Sequence, residues 1–169
     1  MSLRLLLIRH AKSAWDDPVC ADRDRPLAAR GQRAAPLIGR WIADQGHAPG
    51  QALVSSARRT CETWSLLAPL LGDPPAVFLD ALYHAPPDVM LRCLRSAESP
   101  VVALVGHNPG IAEFAAQMLA RPPRNADFLR FPTCATLIAE FPAADWAELR
   151  RGTGRLIAFT TPRTLDSAA

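Results

Sequence analysis

Leu3-Arg4-Leu5-Leu6-Leu7-Ile8-Arg9-His10 begins with a run that is apolar apart from Arg4 and stops abruptly at two polar side chains. The run is too short for a membrane span and has the length and sharp polar stop of a buried strand. The pattern recurs along the chain. Ala52-Leu53-Val54 stops at Ser55-Ser56, and Val101 to Val105 lies between Pro100 and Gly106-His107. Val77 to Leu79, Thr136 to Phe141 and Leu156 to Phe159 complete the expected strands. Helical spacing falls between them. Gly31 to Asp44 carries Ala34, Ile38, Trp41 and Ile42 before a stop at Gly46, with Pro36 expected in about the first turn. Arg59 to Leu71 reads as a helix capped by Ser55 or Ser56, with Trp64, Leu67, Leu70 and Leu71 on its apolar face. Two further helices are expected from Pro86-Pro87-Asp88 to about Ala97 and from Pro109 to about Leu119. Residues 14–30 and 121–127 read as loops, and a turn or short helix is expected near Ala143 to Leu149. Strands alternating with helices predict an α/β fold with helices on both faces of the sheet.

At 169 residues, the chain suits one domain, expected over residues 1–163, with a small polar tail at 164–169 that reads as frayed. A net charge of +3 is too modest to argue for nucleic acid as a partner, and no run is long enough to enter a membrane. Lys12 is the single lysine, so arginine supplies nearly all the positive charge. Arginine's planar fork suits phosphate oxygens better than a lysine point charge does. Cys20, Cys61, Cys93 and Cys134 lie far apart without a zinc spacing, and no secretory leader is evident. Four reduced, mostly buried thiols in a cytoplasmic protein are therefore expected.

In open α/β sheets, ligands collect outside the carboxyl ends of the strands. Three expected strands end in groups suited to phosphate: Arg9-His10, Ser55 through Arg59, and Gly106-His107. A neutral imidazole can attack phosphorus, while arginines and a second histidine hold the equatorial oxygens. This chemistry requires no metal. Singly, each residue has a plainer reading: a serine as a helix cap, a glycine as a turn, a histidine as a packing residue. His47 and His84 read as ordinary, and Arg58 as a solvated neighbour of Arg59.

As a set, the motifs resemble the histidine phosphatase superfamily, whose fold is phosphoglycerate mutase-like. Arg9-His10-Ala11 resembles the Arg-His-Gly signature after the first strand. In Leu53 to Thr63, Ser55, Arg59 and Thr63 meet the four-residue spacings of the second motif, which selects Arg59 over Arg58. Val105-Gly106-His107-Asn108 resembles the third. The resemblance covers residue 4 to about 120 and implies a three-layer α/β/α sandwich with a mostly parallel central sheet. It also implies His10 as the nucleophile, with Arg9, Arg59 and His107 completing a phosphate pocket and no cofactor. Small size, Arg9-His10-Ala11-Lys12-Ser13 and Asp22-Arg23-Asp24-Arg25-Pro26-Leu27 are similar to the SixA-type phosphohistidine phosphatases. By that resemblance Ser13 and Asn108 neighbour the pocket, while Asp22 and Arg25 shape its substrate side.

Ala11 stands where glycine is usual, and Ser56 where proline is common. Many members carry an acidic general acid after the third strand; the candidate here is Asp80. A phosphohistidine on a partner protein, whose ring can leave already protonated, needs that acid less than a small phosphate ester does. The alternatives are a small-molecule phosphatase or mutase of the same fold, or a module that binds phosphate without turnover. No cysteine has an arginine six positions on, which excludes the cysteine-phosphatase loop. Asp22-Arg23-Asp24 has aspartate-phosphatase spacing but sits in a loop.

Overall fold

The computed structural model describes residues 2–168. Its six strands are β1 (Leu3–Arg9), β2 (Gln51–Ser55), β3 (Ala76–Leu79), β4 (Val101–Gly106), β5 (Thr136–Phe141) and β6 (Arg155–Thr160). They form one sheet in the order β3-β2-β4-β1-β5-β6. The first four strands are parallel; β5 and β6 complete one edge antiparallel. Helices α1 (Ala29–Asp44), α2 (Arg58–Leu67), α3 (Pro87–Leu94), α4 (Gly110–Met118), α5 (Ala126–Arg130) and α6 (Pro162–Ala168) accompany them.

The alternation of side chains along β1 explains why the sheet is covered on both faces. Leu5 and Leu7 join Met90, Leu104, Ile111 and Phe114 in one core, on the side of α3 and α4. Leu6 and Ile8 join Ile38, Ile42, Trp64 and Leu67 in the other, beneath α1 and α2. The three-layer α/β/α arrangement follows from these two cores. On the outer strand β3, Val77 and Phe78 remain exposed.

Several local expectations are corrected. Helix α1 begins at Ala29, so Pro36 lies in its interior and forgoes the bond its N–H would have made to the Gln32 carbonyl. Neither Ser55 nor Ser56 caps α2; Ala57 occupies that position, and Ser55 turns to His107. The 121–127 loop gives way to α5, which Asn125 caps by accepting from the Phe128 N–H. Residues 164–168, read as part of a frayed tail, continue α6; Ala169 lies outside the described residues. Of the four free thiols only Cys134 is fully buried, which pushes its pKa up to about 12.

Parallel pairing brings the catalytic-looking strand ends together. β4 lies between β2 and β1, with Arg9 opposite Gly106. The chain after His10 is held against the start of α1: Lys12 O accepts from Ala28 N at 2.9 Å. Gly31 permits this approach, because a Cβ there would lie 2.2 Å from Lys12 O. Gly31→Ala should therefore destabilise the fold by about 1–3 kcal/mol through overpacking. A urea midpoint unchanged from wild type would contradict that close approach.

Candidate active site

The three strand ends supply His10, Ser55 and His107, and α2 contributes Arg59 from its first turn. A pocket of about 290 Å³ is lined by Arg9, His10, Lys12, Ser13, Trp15, Asp22, Arg25, Arg59, His84, His107, Asn108 and Thr133. Eight of the nine residues named from the sequence thus meet at one place. The exception is Asp80.

His10 is held by its backbone surroundings. Its Nδ1 lies 2.7 Å from Ala11 O, so the Nδ1–H donates there and Nε2 keeps its lone pair. Ala11 is fixed in turn: its N–H donates to Thr63 Oγ1 at 3.0 Å, and that hydroxyl donates to Arg59 O at 2.7 Å. The second-motif threonine therefore ties the loop bearing His10 to the helix bearing Arg59. His107 faces His10 with ring centroids 5.3 Å apart, and its Nε2 pairs with Ser55 Oγ at 2.7 Å. Its Nδ1, and the Nε atoms of Arg9 and Arg59, are buried without a hydrogen-bond partner among the described residues.

Both central imidazoles are kept neutral. Burial lowers the His10 pKa to about 3, helped by the charges of Arg9, Arg59 and Arg25 and opposed by the Ala11 carbonyl. Burial, then His10, Arg59 and His84, lowers His107 to about 2.

Among the described residues, Asp22 is the only carboxylate in the lining. It accepts from Arg59 Nη2 at 3.1 Å and from Arg25 Nη2 at 2.9 Å. Tyr83 OH also donates to it, and His84 Nε2 lies 3.0 Å away. Burial favours its neutral acid, but the hydrogen bonds from Tyr83, His84 and Arg25 and the charge of Arg59 outweigh that. They hold the group well below the usual carboxylate range. Arg25 also donates to Ser13 Oγ at 2.6 Å and stacks on the Trp15 ring 3.5 Å from its centroid. On the opposite wall, Arg9 Nη1 and Asn108 Nδ2 donate to Phe131 O.

Asp80 sits outside the pocket lining, bound to Arg23 and Ser56, which lower its pKa. A carboxylate held ionised in this way is poorly suited to donate a proton. His84, expected to be ordinary, and Tyr83, unmarked by any motif, both lie at the rim, clustered with His107. No motif spacing marks them. The sequence signal for them is their place directly after Asp80-Ala81-Leu82.

The match to the family model for the histidine phosphatase superfamily (branch 1) covers residues 5–83. An uncharacterized protein from Mycobacterium tuberculosis is 34% identical over 163 residues, covering 92% of this chain and 100% of the relative. The chain belongs to the histidine phosphatase superfamily. Its structure is similar to a proposed phosphohistidine phosphatase SixA from Agrobacterium tumefaciens, with a TM-score of 0.76 and 28% identity over 95% of this chain and 98% of that one. A SixA with the same proposed activity from Nakamurella multipartitia gives a TM-score of 0.79 and 26% identity over 96% and 97% of the two chains. These likenesses agree with the three-layer fold and with phosphatase chemistry at this pocket.

The lowered histidine pKa values make stability depend on pH. An unfolded histidine takes up a proton near pH 6.5, whereas the folded His10 and His107 do not until about 3 and 2. The unfolded state thus binds more protons below about pH 6.5, and stability should fall as pH drops through that value. His47, also lowered by burial, adds to the effect. Urea unfolding between pH 7 and pH 5 should show this loss, and His10→Ala with His107→Ala should flatten it. An equally steep loss in the double variant would refute neutral burial of these rings.

Proposed function

We propose that this protein is a phosphohistidine phosphatase acting on phosphohistidine displayed by a partner protein in the cytoplasm. The observation that carries the reading is His10, locked by Ala11 O into one tautomer and pushed to a pKa of about 3 in a pocket lined by three arginines. In this scheme Nε2 attacks phosphorus and forms an N–P bond as the substrate's N–P bond breaks. The bonding pair leaves with the substrate imidazole. Water then attacks the phosphoenzyme, the bond to His10 breaks, and orthophosphate departs. Arg9, Arg59 and His107 Nδ1 offer the donors that would meet the equatorial oxygens, where charge accumulates.

The choice of substrate rests on the leaving group. The one carboxylate of the pocket is committed to Arg25 and Arg59, and Asp80 is turned to Arg23. Neither is poised to protonate an alkoxide, whereas an imidazole already protonated on its other nitrogen leaves unaided. Likeness to proteins described as SixA agrees with this. One observation favours small phosphate esters instead: His84 beside Asp22 at 3.0 Å forms a pair able to deliver a proton at the rim. The absence of any helix long and apolar enough to cross a membrane among the described residues, and the four free thiols, are consistent with the proposed setting.

Orthophosphate release from a phosphohistidine protein and from an ester panel, measured together, tests the proposal. His10→Ala should abolish turnover, and Arg59→Lys should lower it about 100-fold or more through loss of the bidentate fork. Asp80→Asn should stay within about twofold, since its carboxylate serves a surface ion pair. Ester preference, lost in His84→Gln, would move the function to metabolite hydrolysis. Normal turnover by His10→Ala would end the mechanism altogether.

A further inference from the structure

A second, smaller cleft of about 210 Å³ abuts the catalytic pocket and shares Lys12 and Thr133 with it. Its other basic residues come from three elements: Arg30 on α1, Arg130 at the end of α5 and Arg163 on α6. Among the described residues, Asp127 is its only carboxylate. Among the described residues, none of these four cations forms an ion pair within 4.0 Å, although eight ion pairs occur elsewhere on the molecule. These four cations, three of them carried by separate helices and Lys12 by the loop after β1, concentrate positive potential beside a pocket that is itself cationic. The backbone joins the two sites directly: Arg130 O accepts from Asn108 Nδ2 at 2.8 Å, and Phe131 O accepts from Arg9.

The surface past the cleft stays predominantly basic, with Asp166 its one carboxylate among the described residues. Arg30, Ala34, Pro162 and Arg163 also border an open hollow between α1 and α6, where Arg33 and Arg40 lie along α1. At 1.5 Å rise per residue, Arg30 to Arg40 extends about 15 Å along that helix. A small phosphate ester seated at His10 does not span this distance. About five residues of extended polypeptide would.

We propose that the cleft and the track beyond it form a docking site for an acidic segment of the protein whose phosphohistidine enters the catalytic pocket. The inference rests on the phosphohistidine reading and specifies its partner: carboxylate side chains flank the phosphorylated histidine. These meet Arg30, Arg130 and Arg163, while Lys12 bridges the two anions. Such contacts raise affinity and encounter rate and leave the chemical step unchanged.

Labelled peptides of about eight residues, one rich in glutamate and one with glutamine in its place, test the proposal without requiring turnover. Fluorescence anisotropy at low ionic strength should show about tenfold tighter binding of the glutamate peptide. About 0.5 M salt should erase that preference. Arg30→Ala with Arg163→Ala should erase it as well while retaining wild-type kcat/KM on free phosphohistidine. Equal binding of the two peptides overturns the docking site, as does a preference unaffected by both salt and the double substitution. Inorganic tripolyphosphate displacing the glutamate peptide at a lower charge concentration would overturn it in favour of a phosphate-chain site. Peptide binding without hydrolysis of any phosphohistidine substrate would retain the docking site and reject the activity. Hydrolysis without acidic preference would do the reverse.

Discussion

Three guanidiniums, Arg9, Arg25 and Arg59, line one pocket, and a single carboxylate answers them. Asp22 pairs with two of the three while accepting from Tyr83 and lying beside His84. Much of the site's behaviour follows from that imbalance. Burial, reinforced by the excess positive charge, keeps His10 and His107 neutral. It lowers the pKa of Arg9 as well, through burial and the nearby Arg59. A phosphoryl dianion brings the charge this pocket lacks, so substrate binding and relief of repulsion coincide. The folded state carries the cost in its absence, as sites organised for catalysis commonly do.

The geometry of His10 depends on a neutral device built beside that charge. His10 donates to Ala11 O, Ala11 N donates to Thr63, and Thr63 donates to Arg59 O. This chain links the loop after β1 to the first turn of α2 through buried hydrogen bonds, where leaving a donor unmet costs about 1–3 kcal/mol. Ala11, in place of the more usual glycine, is fully buried and contributes only its main chain to this linkage. A small side chain at that position is compatible with it.

Much of this was legible in the sequence because strand ends and motif spacing are local. All six strands were expected near their observed places, and the Ser55, Arg59 and Thr63 spacing selected the buried arginine from the pair; Arg58 faces solvent and pairs with Glu62. What failed depends on tertiary surroundings. Nothing in the local pattern says that Ser55 bonds to His107 and leaves α2 to be capped by Ala57, because that choice is made across 52 residues of sequence. His84 reads as ordinary for the same reason: Asp22, which pairs with it at the rim, is 62 positions away. Asp80 lies near the expected place in the chain, but Arg23 and Ser56 take its carboxylate. The helix content of the last residues was masked by their small, polar composition; Leu165 packs onto the core beneath α1.

The antiparallel edge has a consequence for the site. Parallel strands β2, β4 and β1 bring three strand ends to one side, and β5 then runs back against β1 from the same end. The connection into β5 must therefore cross the mouth of the pocket. Phe131, which follows α5 in a left-handed conformation with φ of 46°, accepts from Arg9 and Asn108 there. Cys134 N donates to His10 O at 3.0 Å, which supports the His10 backbone from behind. The strand reversal thus supplies one wall of the catalytic pocket and places Arg130 beside it. A fully parallel continuation would leave β1 without this return. The cationic neighbourhood of the pocket then follows from the topology of the sheet as much as from the choice of side chains.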